Sequence, residues 1–77
     1  MTRGYVLITA AIGKVKQVAK DLLRIKGVKS VHVVTGPYDV IVFVEAKDLD
    51  TLSSAIVDDI HKVKGVVDTN TAIVVEV

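Results

Sequence analysis

The residues best placed to do chemistry in this 77-residue chain sit in one turn, Val34-Thr35-Gly36-Pro37-Tyr38-Asp39-Val40, which opens into the apolar run Ile41-Val42-Phe43-Val44. Gly36 permits a positive φ and Pro37 fixes its own φ at about −65°, so the chain reverses between two β-branched runs and forms a hairpin. Asp39 is the residue that needs a reason, because an acid is a poor strand former and this one stands at the mouth of the most hydrophobic strand. Two readings are open. In one, its side chain binds nearby backbone N–H groups, as in an Asx turn. In the other, it is a counter-charge for an ammonium group on a ligand.

The remaining titratable residues suggest little chemistry. His32 and His61 are far apart in sequence and have no metal-ligand companions; His61 suits the negative end of a helix dipole. Asp58-Asp59 reads as a solvated helix face, since no further acids at suitable spacing complete a metal site. No nucleophile–base pair is visible, so no catalytic residue, metal or cofactor is expected.

Six elements must position the turn. Tyr5 to Ala11 is apolar and partly β-branched, bounded by Gly4 and Gly13, and predicts a strand. From Lys14 the period changes: Val15, Val18, Ala19, Leu22 and Leu23 mark the buried face of a helix that Gly27 stops. Val28 to Thr35 and Tyr38 to Ala46 are the hairpin strands. A second helix begins near Asp48 as N-cap, with Asp50 in its first turn, buries Leu49, Leu52, Ile56, Val57 and Ile60, and ends at Gly65. Thr71 to Val77 is read as the last strand. Ile25-Lys26-Gly27-Val28 recurs as Val63-Lys64-Gly65-Val66, each time as a helix exit, so the chain holds two similar βαβ halves. The order βαββαβ predicts an α+β, ferredoxin-like fold over a single domain, residues 1–77, with a four-stranded antiparallel sheet and both helices on one face.

Composition narrows the function. Ten Lys+Arg against nine Asp+Glu give a net charge of +1, with the basic residues spread along the chain, so no direct nucleic-acid binding is expected. The lack of cysteine removes disulfides, thiolate nucleophiles and Cys-type zinc or iron–sulfur sites. No apolar run approaches the ~18 residues of a membrane span and no secretory signal precedes the first strand, so no membrane association and a cytoplasmic location are expected. The strands break the alternation expected of a sheet with one wet face, for Val40 to Val44, Tyr5 to Ile8 and Ala72 to Val75 are apolar at both parities. A patch of that size calls for cover, and a second copy packing sheet against sheet is the economical one.

The order of elements, the Lys-Gly-Val helix exits, the hairpin around Gly36, Tyr38 and Asp39, and the ending Gly65-Val66-Val67-Asp68-Thr69-Asn70-Thr71 together resemble the effector-binding domain of the Lrp/AsnC family of transcriptional regulators, also called the RAM module. The family's usual N-terminal helix-turn-helix has no counterpart, since the first strand follows Met1 within four residues, and a stand-alone module is expected. The resemblance implies a small effector, usually a free amino acid, bound in clefts between dimers of a higher oligomer, here expected to be an octamer built from homodimers. It also implies regulation of transcription through co-assembly with DNA-binding relatives. On that pattern Asp39 supplies the anion for the ammonium, Gly36 allows close backbone approach, Tyr38 walls the side chain, and Thr69 and Thr71 match positions that line the same cleft from an adjoining subunit.

Two other classes compete: a small ferredoxin-like dimeric enzyme of oxygenase or isomerase type, which needs a catalytic set that Asp39 and His32 alone do not make, and an ACT-like regulatory module, which is usually tethered to an enzyme. Fold does not separate them.

Overall fold

The computed structural model describes residues 1–76, Ala55 through its backbone alone. Strands β1 (Thr2–Ala10), β2 (Val28–Val33), β3 (Val40–Ala46) and β4 (Val66–Ile73) form one antiparallel sheet in the order β2-β3-β1-β4. Helix α1 (Val15–Leu22) links β1 to β2. The link from β3 to β4 is α2 (Leu49–Thr51), a π-helical stretch Leu52–Val57 and α3 (Asp58–His61). This is the expected ferredoxin-like βαββαβ arrangement.

Both helical links cover the same side of the sheet. Val6 and Ile8 of β1 and Val40, Val42 and Val44 of β3 lose all exposure against Val18 and Leu22 of α1 and against Leu52 and Ile60. Two members of the expected apolar stripes stay out: Leu23, just past the end of α1, and Leu49, at the start of α2, are exposed. The buried residues Leu52, Ile56 and Ile60 recur every four positions, which runs ahead of the 3.6-residue α-helical turn; the wider i→i+5 turns of the π-helical stretch bring the three back into line. Asp48 caps this segment by accepting the Thr51 N–H at 2.7 Å, and that hydrogen bond holds its carboxyl below the usual carboxylate range. The contribution of the cap is therefore present above the ordinary carboxylate pKa and lost as pH falls through the lowered one.

The last strand departs from expectation. It begins at Val66, directly after the glycine exit, and not at Thr71; Thr69 and Thr71 lie inside it, and Val77 lies outside the described residues. The reading from Thr71 followed the dense apolar run at the end of the chain, whereas the ladder with β1 is set by backbone pairing from Ala10↔Val66 to Gly4↔Ile73.

The two glycine exits are built alike. Gly27 has φ +98° and Gly65 has φ +100°, which only glycine adopts at little cost. The Gly27 carbonyl accepts the Glu45 N–H at 2.9 Å and the Gly65 carbonyl accepts the Ala11 N–H at 2.8 Å, so each exit is tied to the strand that neighbours it. A Cβ on Gly27 would overlap the Ile56 side chain, and one on Gly65 would meet Val18 at 2.8 Å. Each exit is thus roofed by the opposite helical link. Gly36 differs: its φ is +134°, but nothing lies within 4 Å of the position a Cβ would take.

Replacing Gly27 or Gly65 by alanine adds close overlap to backbone strain of about 1–2 kcal/mol, whereas Gly36→Ala meets the strain alone. Urea unfolding should therefore rank Gly27→Ala and Gly65→Ala as more destabilised than Gly36→Ala; equal midpoints for all three would show that the roofing side chains move aside freely.

Candidate functional site

Asp39 stands where β1 runs on past β3. In a strand, a carbonyl and the N–H two residues further on face the same neighbour, so the Ile8 carbonyl and the Ala10 N–H both turn toward β3. The Asp39 N–H donates to the Ile8 carbonyl at 2.9 Å. The main chain has by then turned away into the hairpin, and the Asp39 carboxylate supplies the next acceptor: its Oδ2 takes the Ala10 N–H at 2.9 Å. The Asp39 carbonyl closes the hairpin by accepting the Val34 N–H, also at 2.9 Å. One residue thereby ties β1, β2 and β3 together. Among the described residues its second carboxylate oxygen, Oδ1, accepts no hydrogen bond.

Tyr38, half-buried, extends the hairpin's reach across β1. Its hydroxyl accepts from the Asn70 side-chain amide on β4 at 3.3 Å. Asn70 pairs with Leu7 and belongs to the helix-free face of the sheet. That face carries Tyr5, Leu7, Ile41 and Phe43 at its centre, with the Tyr5 and Phe43 rings tilted at 48° and 5.1 Å apart. Polar residues flank them: His32 opposite Ile41, Ser30 opposite Phe43, and Asp68 and Asn70 on β4. The apolar residues of both parities thus split as the sequence implied, valines 40, 42 and 44 toward the helices and Ile41 and Phe43 away from them.

Thr69 and Thr71 face the other way. They pair with Ile8 and Val6, whose side chains are buried against the helices, so the hydroxyls sit on the helix side of edge strand β4, Thr71 exposed and Thr69 half-buried. Thr69 Oγ1 is hydrogen-bonded to His61 Nε2 at the end of α3, beside a cleft of ≈ 180 Å³ lined by His61, Val66, Val67, Asp68 and Thr69. A single chain therefore brings Gly36, Tyr38 and Asp39 together at one end of the sheet and keeps Thr69 and Thr71 on the opposite face of β4. A larger concavity of ≈ 590 Å³ opens at the other end, between Lys26, Lys29 and Lys47.

Three participants escaped the sequence reading. Asn70 was hidden between two threonines, although the period of two in a strand sends it to the opposite face. The Ala10 N–H left no trace because it is a backbone group. His61 was assigned to the helix dipole; it does end α3, but its ring also reaches Thr69. Among the described residues no three metal-ligating side chains converge, and no helix is long and apolar enough to cross a membrane.

Comparison with known proteins gives a consistent picture. A family model described as the Lrp/AsnC ligand binding domain matches residues 3–77. The HTH-type transcriptional regulator LysM of Sulfurisphaera tokodaii is 34% identical over 61 residues, which is 79% of this chain and 43% of that protein. A homocitrate synthase of the same organism is 44% identical over 59 residues, 77% of this chain but only 13% of the enzyme, so the likeness is to one segment of it. Among solved structures, the crystal structure of FFRP-DM1 superposes with a TM-score of 0.90 at 36% identity, covering 97% of this chain and 100% of that one. The chain spans less than half the length of the regulators it matches.

The geometry at Asp39 separates its two roles by substitution. Asp39→Ala leaves the part-buried Ala10 N–H without its acceptor and should cost about 1–3 kcal/mol of stability, while Asp39→Asn keeps an acceptor oxygen and should cost less. Amide exchange at Ala10 reports this directly; equal protection in the wild type and Asp39→Ala would show that the carboxylate does not hold the strand end.

Proposed function

The chain belongs to the Lrp/AsnC ligand-binding domain family, and from that membership we propose that residues 1–77 act as one effector-sensing and assembly module whose effector is a free amino acid. The observation that carries this reading is Asp39. Its carboxylate is fixed in place by the Ala10 N–H, yet Oδ1 keeps its lone pairs for a cation. An ammonium placed there gains a charge-assisted hydrogen bond without any reordering of the site. Gly36 offers approach beside it, since nothing lies within 4 Å of its missing Cβ, and Tyr38 gives an aromatic wall next to the carboxylate. Thr69 and Thr71, which one chain holds on the far face of β4, complete the cleft from an adjoining subunit.

That arrangement needs assembly. The helix-free face, with Tyr5, Leu7, Ile41 and Phe43 in its middle, pairs with the same face of a second copy into a homodimer, and dimers join into a higher oligomer, an octamer on the family pattern. The module then acts on transcription through relatives that carry a DNA-binding segment. A second reading of the partner is favoured by the homocitrate synthase match: a domain of this type also serves as a segment of a metabolic enzyme, and the module then senses a metabolite on an enzyme's behalf.

A thermal-shift screen against the twenty amino acids tests the effector, because a ligand bound only by the folded state raises the melting temperature. Asp39→Asn should keep the fold and weaken binding of the positive compound by about 1.5–3 kcal/mol; undiminished affinity in calorimetry would confine Asp39 to its structural role.

Light scattering tests the assembly. Because the valines of β3 face the helices, the disruptive charge belongs on the other parity. Ile41→Asp or Phe43→Asp should leave a monomer or an unfolded chain where the wild type is a dimer or larger. A wild type that stays monomeric at micromolar concentration would refute the sheet-to-sheet dimer.

A further inference from the structure

The hydrogen bond between His61 and Thr69 joins a titratable ring to a hydroxyl that can either donate or accept. A neutral imidazole with a bare Nε2 is the more basic of the two partners, so the Thr69 O–H donates to it and the lone pairs of Oγ1 turn toward the cleft. An imidazolium carries N–H on both nitrogens. Nε2 then donates, Oγ1 accepts, and the hydroxyl proton swings outward. One side chain thus presents an acceptor to the cleft in one protonation state of its neighbour and a donor in the other.

We propose that His61 is a positioning residue that sets the hydrogen-bond sense of Thr69, so that the cleft favours a cationic ligand group beside Thr69 when the imidazole is neutral and an anionic group when it is protonated. The inference rests on the reading of Thr69 as a cleft residue. His61 is exposed at the last turn of α3. The charged groups around it are Asp68 on β4, which lines the same cleft, Asp58 one turn earlier on α3, Lys62 and Lys64 on the helix exit, and Lys14, whose side chain packs against Gly65. The π-helical stretch packed against α3 brings no titratable residue.

Long-range ¹H–¹⁵N NMR of the imidazole nitrogens decides the hydrogen-bond sense in the native protein. Only two histidines are present, and His61→Gln identifies the signal. Spectra recorded on either side of the ordinary imidazole range, at about pH 8 and about pH 5.5, should show a bare, hydrogen-bonded Nε2 in the neutral ring and N–H on both nitrogens in the protonated ring. A proton on Nε2 at the higher pH would overturn the proposal, since Thr69 would then accept in both states. The amino-acid screen run at both pH values supplies the second arm. The apparent Kd of any amino acid that binds should change roughly five- to ten-fold between them, and both His61→Gln and Thr69→Val should abolish that change. A pH dependence that survives in both variants would also overturn the proposal. A screen in which no amino acid binds would count against the effector reading, while the nitrogen shifts still decide what His61 does to Thr69.

Discussion

Two helical links can shield only one face of a four-stranded sheet, and this chain has apolar residues on both. Every other feature adjusts to that constraint. On the helix side, alternate residues of β1 and β3 are buried and are met by Val18, Leu22, Leu52 and Ile60. On the other side, Tyr5, Leu7, Ile41 and Phe43 make a central apolar field with His32, Ser30, Asp68 and Asn70 around it. An apolar centre with a polar rim is the ordinary anatomy of a protein contact surface. The residues proposed to meet a ligand lie at its margin: Tyr38 reaches β4 at Asn70 on the rim, and Asp39 sits at the adjoining strand end.

Asp39 shows why a structural and a ligand role need not exclude each other. Its backbone and one carboxylate oxygen hold three strands at the hairpin. That same commitment removes the rotational freedom a binding carboxylate would otherwise lose on meeting a ligand, so in the proposed site the bond that looks like mere turn capping is also preorganisation. The threonines illustrate the opposite case. They share a strand with Asn70, yet the pleat sends them to the far face, and a cleft that uses both sets of residues must be closed by more than one chain.

Element order and type were legible because the evidence for them is local: the change of period at Lys14, the paired glycine exits and the Gly36-Pro37 turn each carry their own signal. The cap at Asp48 was legible for the same reason. The start of β4 was not, since Val66 to Asn70 alternates weakly and its place is fixed by pairing with β1, a contact between distant parts of the chain. The same limit hid part of the candidate site. Asp39 could be singled out as an acid in the wrong company, but its partner is a backbone N–H 29 residues away, and no sequence pattern marks a backbone group. His61 was visible only through its helix; its reach to Thr69 depends on how α3 is laid against the edge strand.

The roofed glycine exits bear on how the molecule comes apart. Gly27 lies 38 positions before Gly65, and Val18, which roofs the second, lies 38 positions before Ile56, which roofs the first. The repeat is therefore exchanged: each βαβ half closes over the other's glycine exit and leaves its own to be closed. Neither half has a complete interior by itself. Losing either helical link uncovers the other's exit as well as the sheet, so the two halves, although alike, form a single cooperative unit in which partial opening gains little chain freedom and exposes apolar surface in both at once.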